Sequence, residues 1–361
     1  MTSKVYTASE RAVTFVSSST QSWGAETSIG LIATCLMNRG FSVKAVAPLD
    51  AVARSLVGGE VQRATTEVRP KLATGHLQRM KEMVSVARAA KKAGAVLVFC
   101  SVNLYPFAVL CRALQCKVVL DVHDSLLDIR SRVVLGSGEV FANDVICISD
   151  YVRALGVRRR AKLVPRPILT SSPPQLGEGK HVHAIGIVGR IAPEKRVDLA
   201  IQAIQPLKSC SLLVYGAEFG REGKRLRAEL QEMAEELAPG RVKWCGRKPI
   251  QNILAEIGIL VIANEHEASG RTAGEAMAAG VAVVVPSAGG AKEFVEDNVS
   301  GFVWDVCEAS AGITDAIRRV IDADSEGRLD SIKRAAFIRV SREHDMRLVG
   351  DLYAAALESV L

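Results

Sequence analysis

Short, almost continuous runs of Val, Ile, Leu and Ala alternate with longer amphipathic stretches along the whole chain. The runs are Val13–Val16, Val43–Ala47, Ala95–Phe99, Lys117–Asp121, Asp144–Ile148 and Lys162–Val164. A second set follows at Ala184–Val188, Ser211–Tyr215, Val242–Trp244, Gly258–Ala263, Ala282–Val285 and Gly301–Trp304. A strand with one wet face alternates polar and apolar residues, whereas a strand covered by helices on both faces is apolar throughout. These runs are spaced by helical patterns such as Glu26–Asn38, Leu72–Lys92, Val197–Gln205 and Glu222–Leu237. They therefore predict βαβ units and parallel sheets.

The rhythm breaks at Thr170-Ser-Ser-Pro-Pro-Gln-Leu-Gly-Glu-Gly179, a stretch too rich in turn formers to continue a helix or strand. A linker over 171–180 then separates a first doubly wound α/β domain, residues 1–170, from a second, residues 181–345. The final segment, Met346–Leu361, is a helical pattern with no strand after it, and it is expected to join the first domain. The 361 residues suffice for about two domains at ~150 residues each. In open α/β sheets, ligands bind beyond the carboxyl ends of the strands. Two such domains facing each other would enclose a substrate cleft.

Composition narrows the partners. Hydrophobic residues at 48% and charged residues at 24% are those of an ordinary globular protein. A net charge of +7 favours anionic ligands. The cysteines, at 35, 100, 111, 116, 147, 210, 245 and 307, show no C-x-x-C and no clustering with His. Reduced, buried thiols are expected, with neither zinc nor a disulfide framework. Met1 to Arg11 is polar, without the apolar core of a secretory signal, so a cytoplasmic protein is expected. No basic patch is interleaved with aromatics, which argues against single-stranded nucleic acid. Two basic stretches, Arg153–Arg166 and the Leu72–Lys92 helix with Lys71, suit an anionic membrane face or a phosphorylated acceptor. Plain solubility charge accounts for them equally well.

Several strand ends carry chemistry. Glu267-Ala-Ser-Gly-Arg-Thr-Ala-Gly-Glu275 follows one apolar run and opens an Ala-rich helix. Its carboxylates suit sugar hydroxyls. The N–H groups of a helix start, together with Arg271, suit phosphate. Gly189-Arg190-Ile-Ala-Pro-Glu-Lys195 ends another run, and two cations there suit a diphosphate, Arg by bidentate bonding and Lys as a point charge. Gly289-Gly290-Ala-Lys-Glu293 follows a third run, where paired glycines imply a tight turn or close backbone approach to a ligand. In the first half, Gly24-Ala25-Glu26 opens a helix. His123 ends a strand between Asp121 and Asp124.

Together these residues resemble the retaining sugar-nucleotide glycosyltransferases of family 4, also called glycosyl transferases group 1. That family has the GT-B fold, two facing Rossmann-like doubly wound parallel-sheet domains with an interdomain cleft. Glu267 and Glu275 match its E-x7-E motif with Gly270 inside. Gly189, Arg190 and Lys195 match its G-R-x4-K element, and Gly289, Gly290 and Glu293 its G-G-x-x-E. The resemblance implies that Glu267 contacts the donor sugar near the reacting carbon and that Glu275 binds the ribose. It implies that Arg190, Lys195 and the N–H groups of Arg271 and Thr272 hold the diphosphate. His123 would hold the sugar from the first domain, and Gly24 would approach phosphate or acceptor. A hexose would pass from a nucleoside diphosphate sugar, UDP-sugars among them, to an acceptor hydroxyl, with no metal or other cofactor. A sugar-nucleotide epimerase on the same fold and a non-catalytic basic binding protein are the competing readings.

The chain departs from the family pattern in places. Ala268-Ser269-Gly270 replaces Gly-Phe-Gly, and Ala263-Asn264 replaces Pro-Ser. Arg196 stands where Gly commonly follows the Lys, and Pro165-Arg166-Pro167 replaces an Asn-Gly segment. Arg271 replaces an apolar residue, so its side chain is expected to touch phosphate or face the acceptor.

Overall fold

The computed structural model describes residues 11–20, 24–48, 50–56, 76–125, 127–157, 161–170, 173–174 and 182–361. Residues 1–10, Lys71, Arg158-Arg159-Arg160 and all but 173 and 174 of the predicted linker lie outside the described residues. The chain forms two compact units. One comprises Met1–Pro167 with His344–Leu361, and the other comprises Ile168–Glu343.

The first unit is built on a six-stranded sheet of β1 (Ala12–Val16), β2 (Ser42–Val46), β3 (Ala95–Phe99), β4 (Val118–Val122), β5 (Asp144–Cys147) and β6 (Lys162–Leu163), in the order β2-β1-β3-β4-β5-β6. Every pairing is parallel. β1, β3 and β4 are buried at every position, as strands covered on both faces are, with Thr14 in β1 and Asp121 in β4 as their polar members. The helix Met346–Glu358 closes this unit by packing on the helix Gly24–Met37. Cys35 Sγ donates to Met346 O at 3.2 Å, and Arg39 Nε donates to Asp351 Oδ1 at 2.7 Å. Val349, Tyr353 and Leu357 enter the core beside Phe15 and Ile29. Burial of each such side chain stabilises by about 1.5–3 kcal/mol.

The second unit carries β7 (Ala184–Val188), β8 (Ser211–Tyr215), β9 (Val242–Gly246), β10 (Ile259–Val261), β11 (Ala282–Pro286) and β12 (Phe302–Trp304). Their order is β12-β11-β10-β7-β8-β9, again all parallel. β9 is an edge strand and only half-buried, which is why its run tolerates Lys243. The Trp304 indole donates to Ile262 O at 2.9 Å, tying β12 to the end of β10 across β11. Ile168 packs in this unit's core beside Gly274, so the structural division falls just before the Ser/Pro-rich stretch rather than within it.

All eight cysteines are free, and burial pushes the Cys111 and Cys147 thiols up to about 12. Cys307 is exposed and Cys245 half-buried. Among the described residues no helix is long and apolar enough to cross a membrane.

Candidate functional site

In the second unit the chain runs from β7 outward through β8 to β9. It then returns to β10 on the other side of β7 and continues to β11 and β12. The order of strands therefore reverses between β7 and β10, which pair directly through Ile185–Ile259 and Gly186–Leu260. Connections leaving two adjacent parallel strands in opposite directions open a crevice beyond their carboxyl ends. The loop after β7 carries Gly189, Arg190 and Lys195, and the loop after β10 carries Asn264, Glu267 and Gly270. A cleft open to solvent lies there against Val188, Lys195, Ala263, Asn264, Glu267 and Thr272.

Glu267 is the focus of this cleft. Its Oε2 accepts from Lys195 Nζ at 2.7 Å and from Asn264 Nδ2 at 3.0 Å. The Asn264 carboxamide is itself fixed, because its Oδ1 accepts the His266 N–H at 2.9 Å. The carboxylate is thus aimed by a buried amide and neutralised by an ammonium. Lys195 reaches it by laying its stem over Gly189, where a Cβ would stand 3.2 Å from Lys195 Cε. The pair is about a quarter exposed, so an anionic ligand can compete for the Lys195 ammonium. Arg190 is bonded to Glu194 at 3.0 Å, and both side chains are nearly half exposed. Such an exposed pair is weak.

The paired glycines serve the loop. A Cβ at Gly290 would stand 2.2 Å from Ala268 O, and one at Gly289 would stand 2.7 Å from Glu265 O. The Gly290 N–H donates to Glu267 O at 2.6 Å. The close approach expected at this motif is therefore between backbone and backbone, and it holds the Glu267 segment in place. Gly270 has φ +76° and sits 2.5 Å, measured from an ideal Cβ, from Ala291 Cα. From it the helix Arg271–Ala278 starts, with Thr272 on the cleft wall. The first N–H groups of a helix have no intrahelical acceptor and lie at its positive dipole end. Arg196, in the position of the family's usual Gly, does adopt the left-handed conformation, φ +49° and ψ +45°. A side chain there costs roughly 1 kcal/mol, and its guanidinium is bonded to Asp198 at 3.1 Å.

Arg271 has a partner that the sequence did not assign to it. Its side chain turns along its own helix, and Nη2 lies 2.6 Å from Glu275 Oε1. Both side chains are less than one-fifth exposed. Burial raises the Glu275 carboxyl above the ordinary range, and the adjoining Arg271 charge and hydrogen bond act in the opposite direction.

The first unit places its expected residues at strand ends as well. Gly24 opens the helix Gly24–Met37 and Glu26 is buried in its first turn. The ends of β1 and β3 meet through hydroxyls, with Ser17 Oγ 3.3 Å from Ser101 Oγ and Ser18 Oγ donating to Asn103 Oδ1 at 2.6 Å. His123 follows β4, with a largely buried ring. Its flanking Asp121 is not its hydrogen-bond partner, since Nδ1 and Oδ1 are 4.0 Å apart. Asp121 is wholly buried and bonds instead to Arg166 Nη2 at 2.6 Å and to Tyr353 OH at 2.8 Å. The same Arg166 nitrogen lies 3.5 Å from His123 Nδ1. A guanidinium only donates, so in its neutral form the imidazole carries its proton on Nε2.

Arg166 therefore does not belong to a solvated basic surface. It is buried, and although burial alone would ease its proton off, the Asp121 carboxylate beside it raises its proton affinity further. Sequence reasoning also missed Asn264 and Tyr353 as supports of the expected site residues. The i, i+4 spacing of Arg271 and Glu275 was visible in the sequence and could have revealed that pair.

Residues 171–342 match the sequence profile of glycosyl transferases group 1. A GDP-mannose-dependent alpha-mannosyltransferase of Mycobacterium tuberculosis is 26% identical over 186 residues, covering 50% of this chain and 45% of that protein. A lipopolysaccharide 1,2-N-acetylglucosaminetransferase of Salmonella typhimurium is 26% identical over 181 residues, covering 47% of this chain and 48% of that protein. The chain thus spans about half the length of these curated relatives. In structure, the Anabaena protein HepE, solved with UDP-glucose, aligns at a TM-score of 0.81 and 20% identity over 96% of this chain and 99% of that one. Sucrose-phosphate synthase of Thermosynechococcus elongatus aligns at 0.75 and 15% identity over 97% and 98%. Those likenesses establish the GT-B fold, two Rossmann-like units each with a six-stranded parallel sheet. Residues 171–342, which hold the Lys195–Glu267 cleft, belong to the glycosyl transferases group 1 family.

Proposed function

We propose that this chain is a retaining glycosyltransferase that moves a hexose from a nucleoside diphosphate sugar to an acceptor hydroxyl without a metal. The observation that carries the reading is the meeting of Glu267, Asn264 and Lys195 at the β7–β10 reversal, beside the start of the helix Arg271–Ala278. That arrangement offers a carboxylate for sugar hydroxyls next to an ammonium and helix amides for a diphosphate. Charge develops on the phosphate as the sugar leaves. Fixed donors aimed at it stabilise the transition state more than the ground state. Lys195, Arg190 and the amides of Arg271 and Thr272 take that role, Glu267 holds the sugar near its reacting carbon, and Glu275 holds the ribose. His123, donating from Nε2, holds a sugar hydroxyl, and Gly24 with the neighbouring hydroxyl cluster serves the acceptor side. The donor class is shared with relatives named for GDP-mannose and with a structure solved with UDP-glucose. Peripheral contact with an anionic membrane, through the basic helix His76–Lys92, belongs to the same proposal, as does a cytoplasmic location.

The test is a thermal-shift screen of UDP-, GDP-, ADP- and TDP-sugars, followed by product analysis with the donor that binds. A donor held at 100 times its Kd should stabilise the protein by about 2.7 kcal/mol. Nucleoside diphosphate should then appear only when a hydroxyl acceptor is supplied. Conversion of the donor sugar without any acceptor would instead establish the epimerase.

A further inference from the structure

We infer that Arg271 is a positioning residue for the nucleotide ribose, acting through Glu275. This rests on the proposed donor site, in which Glu275 binds the ribose hydroxyls. The geometry is local and complete. Gly270 starts the helix, Arg271 is its first residue, and one turn later Glu275 faces the same side. The 2.6 Å contact joins Nη2 to Oε1, with the two side chains 19% and 17% exposed. A flexible carboxylate one turn into a helix would sample several rotamers. A guanidinium bonded to one oxygen fixes the rotamer and leaves Oε2 as the acceptor for a diol.

The pair also governs charge. Burial favours the protonated form of a carboxyl, and a protonated carboxyl carries an O–H donor where the carboxylate only accepts. Arg271 opposes that tendency directly. Its position is electrostatically unusual, because a cation in the first turn is disfavoured by the helix dipole. The pairing with Glu275 offsets that cost. No other Lys or Arg is among the groups that shift Glu275.

The sign of the pH effect follows. Ribose binding needs the Glu275 carboxylate, so affinity falls as pH drops through its titration. Replacing Arg271 with leucine removes the opposing charge and moves that fall to higher pH. The experiment is calorimetric titration of UDP and GDP into wild type, R271L and R271K between pH 5.5 and pH 9. The quantity read is the ratio of variant to wild-type Kd at each pH, which cancels the titration of the nucleotide itself. For R271L the ratio should be smallest at the alkaline end and rise as pH falls, by up to about tenfold per pH unit of titration. R271K, which keeps the charge, should hold a flat ratio, and it carries the test if R271L does not fold. Discrimination between UDP and 2′,3′-dideoxy-UDP should fall in R271L at low pH, a change that a merely structural role would not produce. A flat ratio for folded R271L, or an R271K profile as steep as that of R271L, overturns the inference while leaving the donor site standing. Failure of wild type to bind any nucleoside diphosphate overturns both.

Discussion

Replacing Glu267 with alanine should lower turnover by about 10²–10³-fold while nucleoside diphosphate binding survives. The two effects separate because the proposed site gives the carboxylate two tasks. In that proposal it meets the sugar from the cleft wall, so its loss removes an interaction with the reacting half of the donor. Through Lys195, 2.7 Å away, it holds a cation that the diphosphate must otherwise recruit. Deleting the acid frees that ammonium, so nucleotide affinity should be unchanged or tighter. The structural cost should be small, since the side chain is partly exposed and the loop is held by the Gly290 N–H to the Glu267 carbonyl, a main-chain bond that alanine keeps. Steady-state kinetics and calorimetry on one preparation read both effects. Unchanged turnover removes Glu267 from the reaction, and lost nucleotide binding would mean that its role is to shape the loop.

The largest stability effect is expected at Arg166. Its substitution by leucine leaves Asp121, wholly buried, without its cation, and breaking a buried pair in this way costs about 3–5 kcal/mol. For a unit of this size that is a fall in Tm of roughly 6–20 °C. Tyr353 still donates to the other Asp121 oxygen, but a neutral hydroxyl does not balance a buried charge. The double variant Asp121→Asn with Arg166→Leu should recover most of the loss, because neither charge is then stranded. Calorimetric unfolding should show the first transition moving while nucleotide binding by the second unit is kept. A loss below about 1 kcal/mol for Arg166→Leu would mean that water reaches Asp121.

Strand positions were legible because a parallel sheet buried on both faces leaves no polar face to blur the run. β3, β7, β8 and β11 lie where their apolar residues do. Even β9, half-exposed at the sheet edge, kept enough Val and Trp to be read. Where both ends lie in described residues, helix boundaries moved by less than a turn, as at Gly220–Leu237, because glycine and charged residues in the first turn are compatible with either side of the boundary. The pairing of Lys195 with Glu267 is 72 residues long-range and depends on the chain returning to the far side of β7. Strand-end reasoning brought the two to one rim but could not give the contact. Arg166 was unreadable for another reason. Local composition put it among surface cations, whereas its burial is decided by Asp121, 45 residues earlier, and by a helix from the chain's end. The Arg271–Glu275 pair went unread because the E-x7-E spacing assigned Glu275 to a ligand and Arg271 to phosphate or acceptor rather than to each other.

The proposed function places a nucleoside diphosphate at the β7–β10 reversal, with Lys195 as its cation. Calorimetric titration of the best-binding nucleoside diphosphate into wild type and Lys195→Ala tests it directly. Losing a charge-assisted bond costs about 1.5–3 kcal/mol, and Glu267, stripped of its partner beside the diphosphate, repels it further. The expected result is one equivalent bound by wild type and an affinity at least about 10–100-fold weaker in the variant. Equal affinity in the two proteins would contradict the claim.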